Sequence, residues 1–337
     1  MREQLLRCPN CNAPLAPPSR FASSMDCGHC GAHVKLVEEF VPAAPYLEAL
    51  AQWNAPPTER SAVSMGGTHW FVGERLARGA HSDVHVAARA RHPTQLAVLH
   101  LSRDARGDEA VRRAATTLRG LRRPRRLNQA LIADRTPTVL FDGTVPAGRS
   151  EGRQAMVCVW RHSFRFTLHD VRERLERPLH AHQAIWIFRR LCEVLGALHR
   201  AGLSHGAVYP EHVLVEDGEH GARLLGFGSA GPIGDRLPTR SEQADAFGLD
   251  AMAPNGELGP GLDLGLAART IIWGLGGSPR SCTVPSEVPA PLADFLQRIS
   301  RGASMDAVSL RDQAGRLGEA LFGRPRFAPL VTAEDPA

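Results

Sequence analysis

Lysine is nearly missing from this chain. Lysine and arginine together number 40 among 337 residues, yet Lys35 is the only lysine. Any activity that needs an ammonium group in the body of the chain, such as a Schiff base or a phosphate-clamping lysine, is therefore excluded there. No apolar run approaches the ~18 residues that cross a bilayer, and Met1 to Arg7 hold no apolar signal segment. Seven cysteines are an odd count, four of them within the first 30 residues and Cys158, Cys192 and Cys282 scattered singly, which is no disulfide framework. These absences predict a cytoplasmic protein with no membrane partner. The 15 histidines form no H-E-x2-H pattern, and no repeat of 20–50 residues is visible.

The composition that remains is ordinary for a globular protein, 43% hydrophobic and 22% charged, long enough for one large or two modest cores. The net charge of +5 would suit an acidic partner. Because almost all of the basic charge is arginine in an alanine-rich chain, it reads instead as coding bias.

Composition and periodicity divide the chain into a cysteine-bearing module at 1–37, a Pro/Ala-rich linker at 38–67, and two further parts at 68–161 and 162–325 before a tail at 326–337. Within the linker, Tyr46, Leu47, Leu50 and Trp53 share one helical face. Strand-like runs at Trp70–Leu76, Val84–Ala88, Leu96–Leu101, Thr138–Asp142 and Ala155–Trp160, with a helix near Asp108–Leu121, predict a small five-stranded lobe. Beyond Arg161 the pattern is helical: Leu168–Leu175, Ala181–Arg200 closed by Gly202, then Asp263–Trp273, Pro291–Ser300 and Ala307–Leu321.

Cys8-Pro-Asn-Cys11 and Cys27-Gly-His-Cys30 are two C-x2-C pairs with 15 residues between them, the spacing of a zinc site. A segment this short cannot bury enough core to fold without such a staple. Four thiolates close the coordination shell, so one structural Zn2+ per chain is predicted, without a catalytic role. The module resembles a zinc ribbon, a shape used for docking proteins as well as nucleic acids, and the spacing does not choose between them.

Ordered landmarks then carry a second resemblance. Leu76-Ala77-Arg-Gly79-Ala-His-Ser82-Asp83-Val84 follows the pattern L-G-x-G-x-x-G-x-V, with only the middle glycine kept and Ala77 and Ser82 at the other two. Leu96-Ala97-Val98-Leu99-His100-Leu101 follows V-A-V-K-x-L, with Leu99 at the lysine. Leu198 to Val215 follows L-H-x-x-G-I-x-H-R-D-L-K-P-x-N-I-L-L; His205 and Pro210 are kept, but Ala207 stands for the aspartate, Tyr209 for the lysine and His212 for the asparagine. Gly226-Phe227-Gly228 follows D-F-G with Gly226 at the aspartate, and Ala253-Pro254-Asn255 follows A-P-E. Residues 68–325 thus resemble a eukaryotic-like protein kinase of the bacterial type. The resemblance implies an α+β fold, a two-lobed kinase-like domain preceded by the ribbon, with Phe227 and His205 in a hydrophobic spine and Asp263 bracing the catalytic-loop backbone.

Phosphoryl transfer is positioning and charge neutralisation, performed by a lysine, metal-holding groups and a carboxylate. Leu99, Ala207, Tyr209, His212 and Gly226 supply none of these, so the expectation is a pseudokinase without Mg-ATP. It would act as a protein-binding or regulatory scaffold in a bacterial signalling complex with a kinase or phosphatase, docked through the ribbon. Two alternatives stay open: a divergent kinase or nucleotide-dependent transferase, and a nucleic-acid-binding protein using the ribbon with Arg119, Arg122, Arg123, Arg125 and Arg126. Glu109, at the helix position that normally pairs with the lysine, reads as a surface residue, and Cys158, Cys192 and Cys282 as buried packing residues.

Overall fold

A computed structural model describes residues 13–15, 24–27, 33–35, 62–89, 92–122, 132, 135–160, 166–216, 221–238, 243–302, 306–324 and 330. Cys8, Cys11 and Cys30, the Tyr46–Trp53 stretch, Arg123, Arg125 and Arg126 lie outside these residues. In the N-terminal module, β1 (Ser24–Asp26) pairs antiparallel with β2 (His33–Lys35), and Cys27 directly after β1 is 2% exposed.

Among the described residues the small lobe has six strands rather than five. β3 (Ala62–Met65) pairs with β4 (Thr68–Arg78) across Gly66-Gly67. Both glycines have positive φ, 57° and 72°, the requirement of a tight two-residue hairpin turn. The predicted linker at 38–67 is therefore corrected: its last residues form a strand of the lobe, a run too short and too mixed to show a period. β5 (Ser82–Arg89), β6 (His92–Ser102), β7 (Thr138–Thr144) and β8 (Gln154–Val159) complete an antiparallel sheet of order β3-β4-β5-β6-β8-β7. The sheet curls until Gly66 lies against the ring of Phe141 on β7, where any Cβ would collide. Inside the curl, Val63, Met65, Trp70, Leu99, Leu101 and Val157 make a small core of their own.

The other face of the sheet packs on α1 (Ala105–Leu121). Asp104 caps this helix, its side chain accepting from Gly107 N at 2.8 Å. Val111, Ala115, Leu118 and Leu121 form its apolar stripe and join Val98, Met156 and Cys158 in the main core.

That core continues into the helical lobe. After β9 (Phe166–Thr167) come α2 (Leu168–Leu175), opened by a reciprocal Thr167–Asp170 capping box, and α3 (Ala181–Arg200). β10 (Leu203–Ser204) pairs with β13 (Gly231–Pro232), and β11 (Val213–Glu216) lies between β9 and β12 (Gly221–Leu224). α4 (Leu249–Met252), α5 (Pro260–Gly274), α6 (Ala290–Ile299) and α7 (Ala307–Phe322) follow. α5 is buried nearly all round, so it is the lobe's central helix. No described helix is long and apolar enough to cross a membrane.

Candidate functional site

The site lies where β6 of the small lobe meets the loop 205–216 and the turn 226–229 of the large one. Asp263, in the first turn of α5, holds that loop. Its Oδ2 accepts from His205 N at 2.8 Å and from His199 Nε2 at 2.9 Å, and its Oδ1 from Gly206 N at 2.7 Å. Burial alone would raise this carboxyl; the His199 contact and the amides outweigh it and hold the group below its ordinary value.

His205 is fully buried and doubly tied. Its Nε2 donates to Leu225 O at 2.7 Å, its Nδ1 accepts from Ala207 N at 3.3 Å, and its ring meets Phe227 edge-on at 4.8 Å. That pattern suits a neutral imidazole. Burial pushes its pKa down to about 4, against the pull of Asp263. Protonation near pH 6.5 is thus open mainly to the unfolded chain. Stability is complete above pH 6.5 and is expected to fall by up to about 3 kcal/mol from this group as pH drops through about 4. A urea midpoint that stays level from pH 7 to pH 5 would contradict that expectation.

The structure brings Ala207, His212 and Gly226 together. Pro210–His212 is a short 3-10 turn, from which the His212 Nδ1 hydrogen-bonds to Ala207 O at 2.8 Å. Gly226 adopts φ 77°, and a Cβ placed on it would stand 2.5 Å from His212 Nδ1. The imidazole fills the space a side chain at 226 would need. Tyr209 turns the other way: its buried ring packs edge-on against Phe247 at 5.2 Å, inside the large lobe.

Leu99 does not face this cleft, which corrects its place in the predicted set. Along β6, Ala97, Leu99 and Leu101 point into the core within the curled sheet, and Leu99 is 0% exposed there. The alternate phase holds Val98, packed on the main core, and His100, opposite Val84. His100 is the side chain this strand offers to the cleft. Burial, with a smaller contribution from His212, pushes its pKa down to about 4. Leu96 and Val98 are apolar as well as Ala97, Leu99 and Leu101, so the pattern of the strand does not by itself fix which phase faces the cleft. Asp83 faces away as well, opposite Leu101 and 3.5 Å from Arg153, so it adds no charge over the cleft.

Of the glycine-rich positions, Ala77 is exposed near the end of β4, Gly79 donates from its N to Ser82 O at 2.9 Å, and Ser82 opens β5. This hairpin loop is fastened to the start of α1. Arg103 N donates to His81 O at 2.8 Å, the Arg103 guanidinium reaches Ala80 O, and His81 Nδ1 lies 2.8 Å from Asp104 Oδ2. None of these ties was foreseen from sequence. Glu109 is 69% exposed, 4.0 Å from Arg113 on its own helix. Asn255 is exposed. Burial pushes the Cys158 thiol up to about 12 and raises Cys192 as well, so neither is disposed to act as a nucleophile. Among the described residues no three His, Cys, Asp or Glu side chains are grouped to hold a metal.

No protein-family model and no curated protein matches the sequence. Solved structures do. A rhoptry kinase from Toxoplasma gondii superposes with a TM-score of 0.56 at 16% identity, covering 77% of this chain and 84% of that one. Vaccinia related kinase 3 gives 0.55 at 16% identity, covering 86% and 98%. The chain has a protein-kinase-like fold.

Proposed function

We propose that this kinase-fold chain is catalytically inactive and works as a protein-binding or regulatory scaffold in a bacterial signalling complex, docked through an N-terminal zinc ribbon. The observation that carries the reading is the His212 imidazole seated against Gly226, so that the two metal-holding positions are filled by one ring resting on a glycine. Around it, Ala207 offers no carboxylate, and His100, the cleft-facing residue of β6, is held neutral by burial. A neutral imidazole there does not neutralise phosphate, and each missing electrostatic group of this kind is worth roughly 3–4 kcal/mol of transition-state stabilisation.

Two measurements test it. Purified chain with radiolabelled ATP, magnesium or manganese and generic acceptors is expected to transfer no phosphate. Millimolar Mg-ATP is expected to leave the melting temperature unchanged, since linkage requires affinity for the native state. Incorporation abolished by a single substitution overturns the proposal; a shift of several degrees would show that a nucleotide pocket survives.

The ribbon is tested separately. Cys27 is a buried soft donor at the end of a β-hairpin strand, which suits a tetrahedral thiolate site shared with Cys8, Cys11 and Cys30. Metal analysis of the full chain is expected to give about one zinc, and Cys27→Ser to lose it and open the module to protease. Zinc content unaffected by Cys27→Ser would rule out this ligand set.

A further inference from the structure

On the far side of α1 from the sheet, a groove of about 510 Å³ separates the helix from the segment 230–238. Its apolar surface comes from Leu203, Ala230, Pro232, Pro238 and Leu258. Its charge is one-sided: among the described residues, Arg112 and Arg113 on α1 and Arg236 across from them face a single lining carboxylate, Asp235.

Two features of the helix wall are not accounted for by the chain's own packing. Arg112 is exposed and has no hydrogen bond or ion pair among the described residues. Gly120 has nothing within 4 Å of where its Cβ would stand, although glycine costs a helix about 1 kcal/mol relative to alanine. No neighbour among the described residues requires that glycine. It keeps the helix backbone open to close approach from the groove. Arg113 is partly engaged, its Nη1 donating to Gly228 O at 2.8 Å, so among the described residues the uncommitted guanidiniums lining the groove are those of Arg112 and Arg236.

We propose that this groove docks an acidic peptide segment of a partner protein. An apolar side chain sits against Leu203, Pro238 and Leu258, and flanking Asp or Glu side chains pair with Arg112 and Arg236. The inference deepens the scaffold reading and rests on it for the premise that the chain works by binding. Its geometry lies outside the cleft, so a positive phosphotransfer assay overturns the inactive reading without touching the groove, and a failed docking test does the reverse.

The test is selection of a displayed library of random peptides on the full chain, followed by anisotropy titration of the enriched sequences at low and moderate salt. Enriched peptides are expected to share an apolar residue bracketed by Asp or Glu and to bind more weakly as salt rises. The double variant Arg112→Glu, Arg236→Glu is expected to weaken binding roughly tenfold or more. Gly120→Leu, which fills the groove from the helix, is expected to do the same with the melting temperature maintained or raised. No enrichment, enrichment of basic peptides, or affinity indifferent to both variants overturns the proposal. Enriched peptides matching the chain's own acidic segment 330–337, or an oligomeric state that changes with the variants, would assign the groove to this chain or to a second copy and likewise overturn it.

Discussion

Replacing Gly226 with aspartate, which restores the acidic residue of the D-F-G pattern, is expected to destabilise the protein by about 4 kcal/mol and to restore no phosphotransfer. Two costs add. The backbone at 226 is left-handed, φ 77°, which costs a non-glycine residue roughly 1–2 kcal/mol. The new Cβ would also meet the His212 ring at 2.5–2.6 Å, and forcing extra atoms into a packed site costs typically 1–3 kcal/mol. His212 cannot simply swing aside, because its Nδ1 is hydrogen-bonded to Ala207 O. The double variant Gly226→Asp, His212→Ala is expected to recover the packing part, a coupling of about 1–2 kcal/mol. Urea denaturation of the two single variants and the double one checks this. Additive effects would show that the ring and the glycine are not interlocked.

Asp263→Ala is expected to cost about 4–5 kcal/mol. The carboxylate is 0% exposed and satisfies two backbone amides and an imidazole. Its removal strands those donors in the interior, where losing one partner of a buried charged network is among the most damaging single changes. Asp263→Asn keeps the shape and one acceptor and is expected to cost about half as much. Because the carboxyl is held below its ordinary value, its contribution persists above about pH 4 and fades below it, a window under that of His205. Equal midpoints for Asp263→Ala and the parent chain would show that the loop 205–216 is held by something else.

Much of this was legible in the sequence where local signals and tertiary structure agree. The helices at Leu168–Leu175 and Ala181–Arg200 have the predicted bounds, since each has an apolar stripe of period 3.6 and clear termini. Asp263 and Phe227 could be placed from the order of landmarks, and both sit in the core as the resemblance implies. Three things were not legible. The strand Ala62–Met65 exists only because its hairpin partner is there, and four residues carry too little pattern to announce it. The facing of β6 depends on which phase of the strand meets which core, and one residue of slip exchanges Leu99 for His100. The seating of His212 on Gly226 joins residues whose relation appears only when the loop and the turn are brought together in space.

α1 carries one more consequence. Its N-terminal end is fastened to the hairpin loop through Arg103 and Asp104, its middle grips Gly228 beside the cleft through Arg113, and its outer side is a wall of the groove. Seventeen residues of helix make a rod of about 25 Å, stiff on the scale of these contacts. Three separate regions are therefore mounted on one lever. Any displacement of that lever would carry the loop above the cleft and the turn below it together.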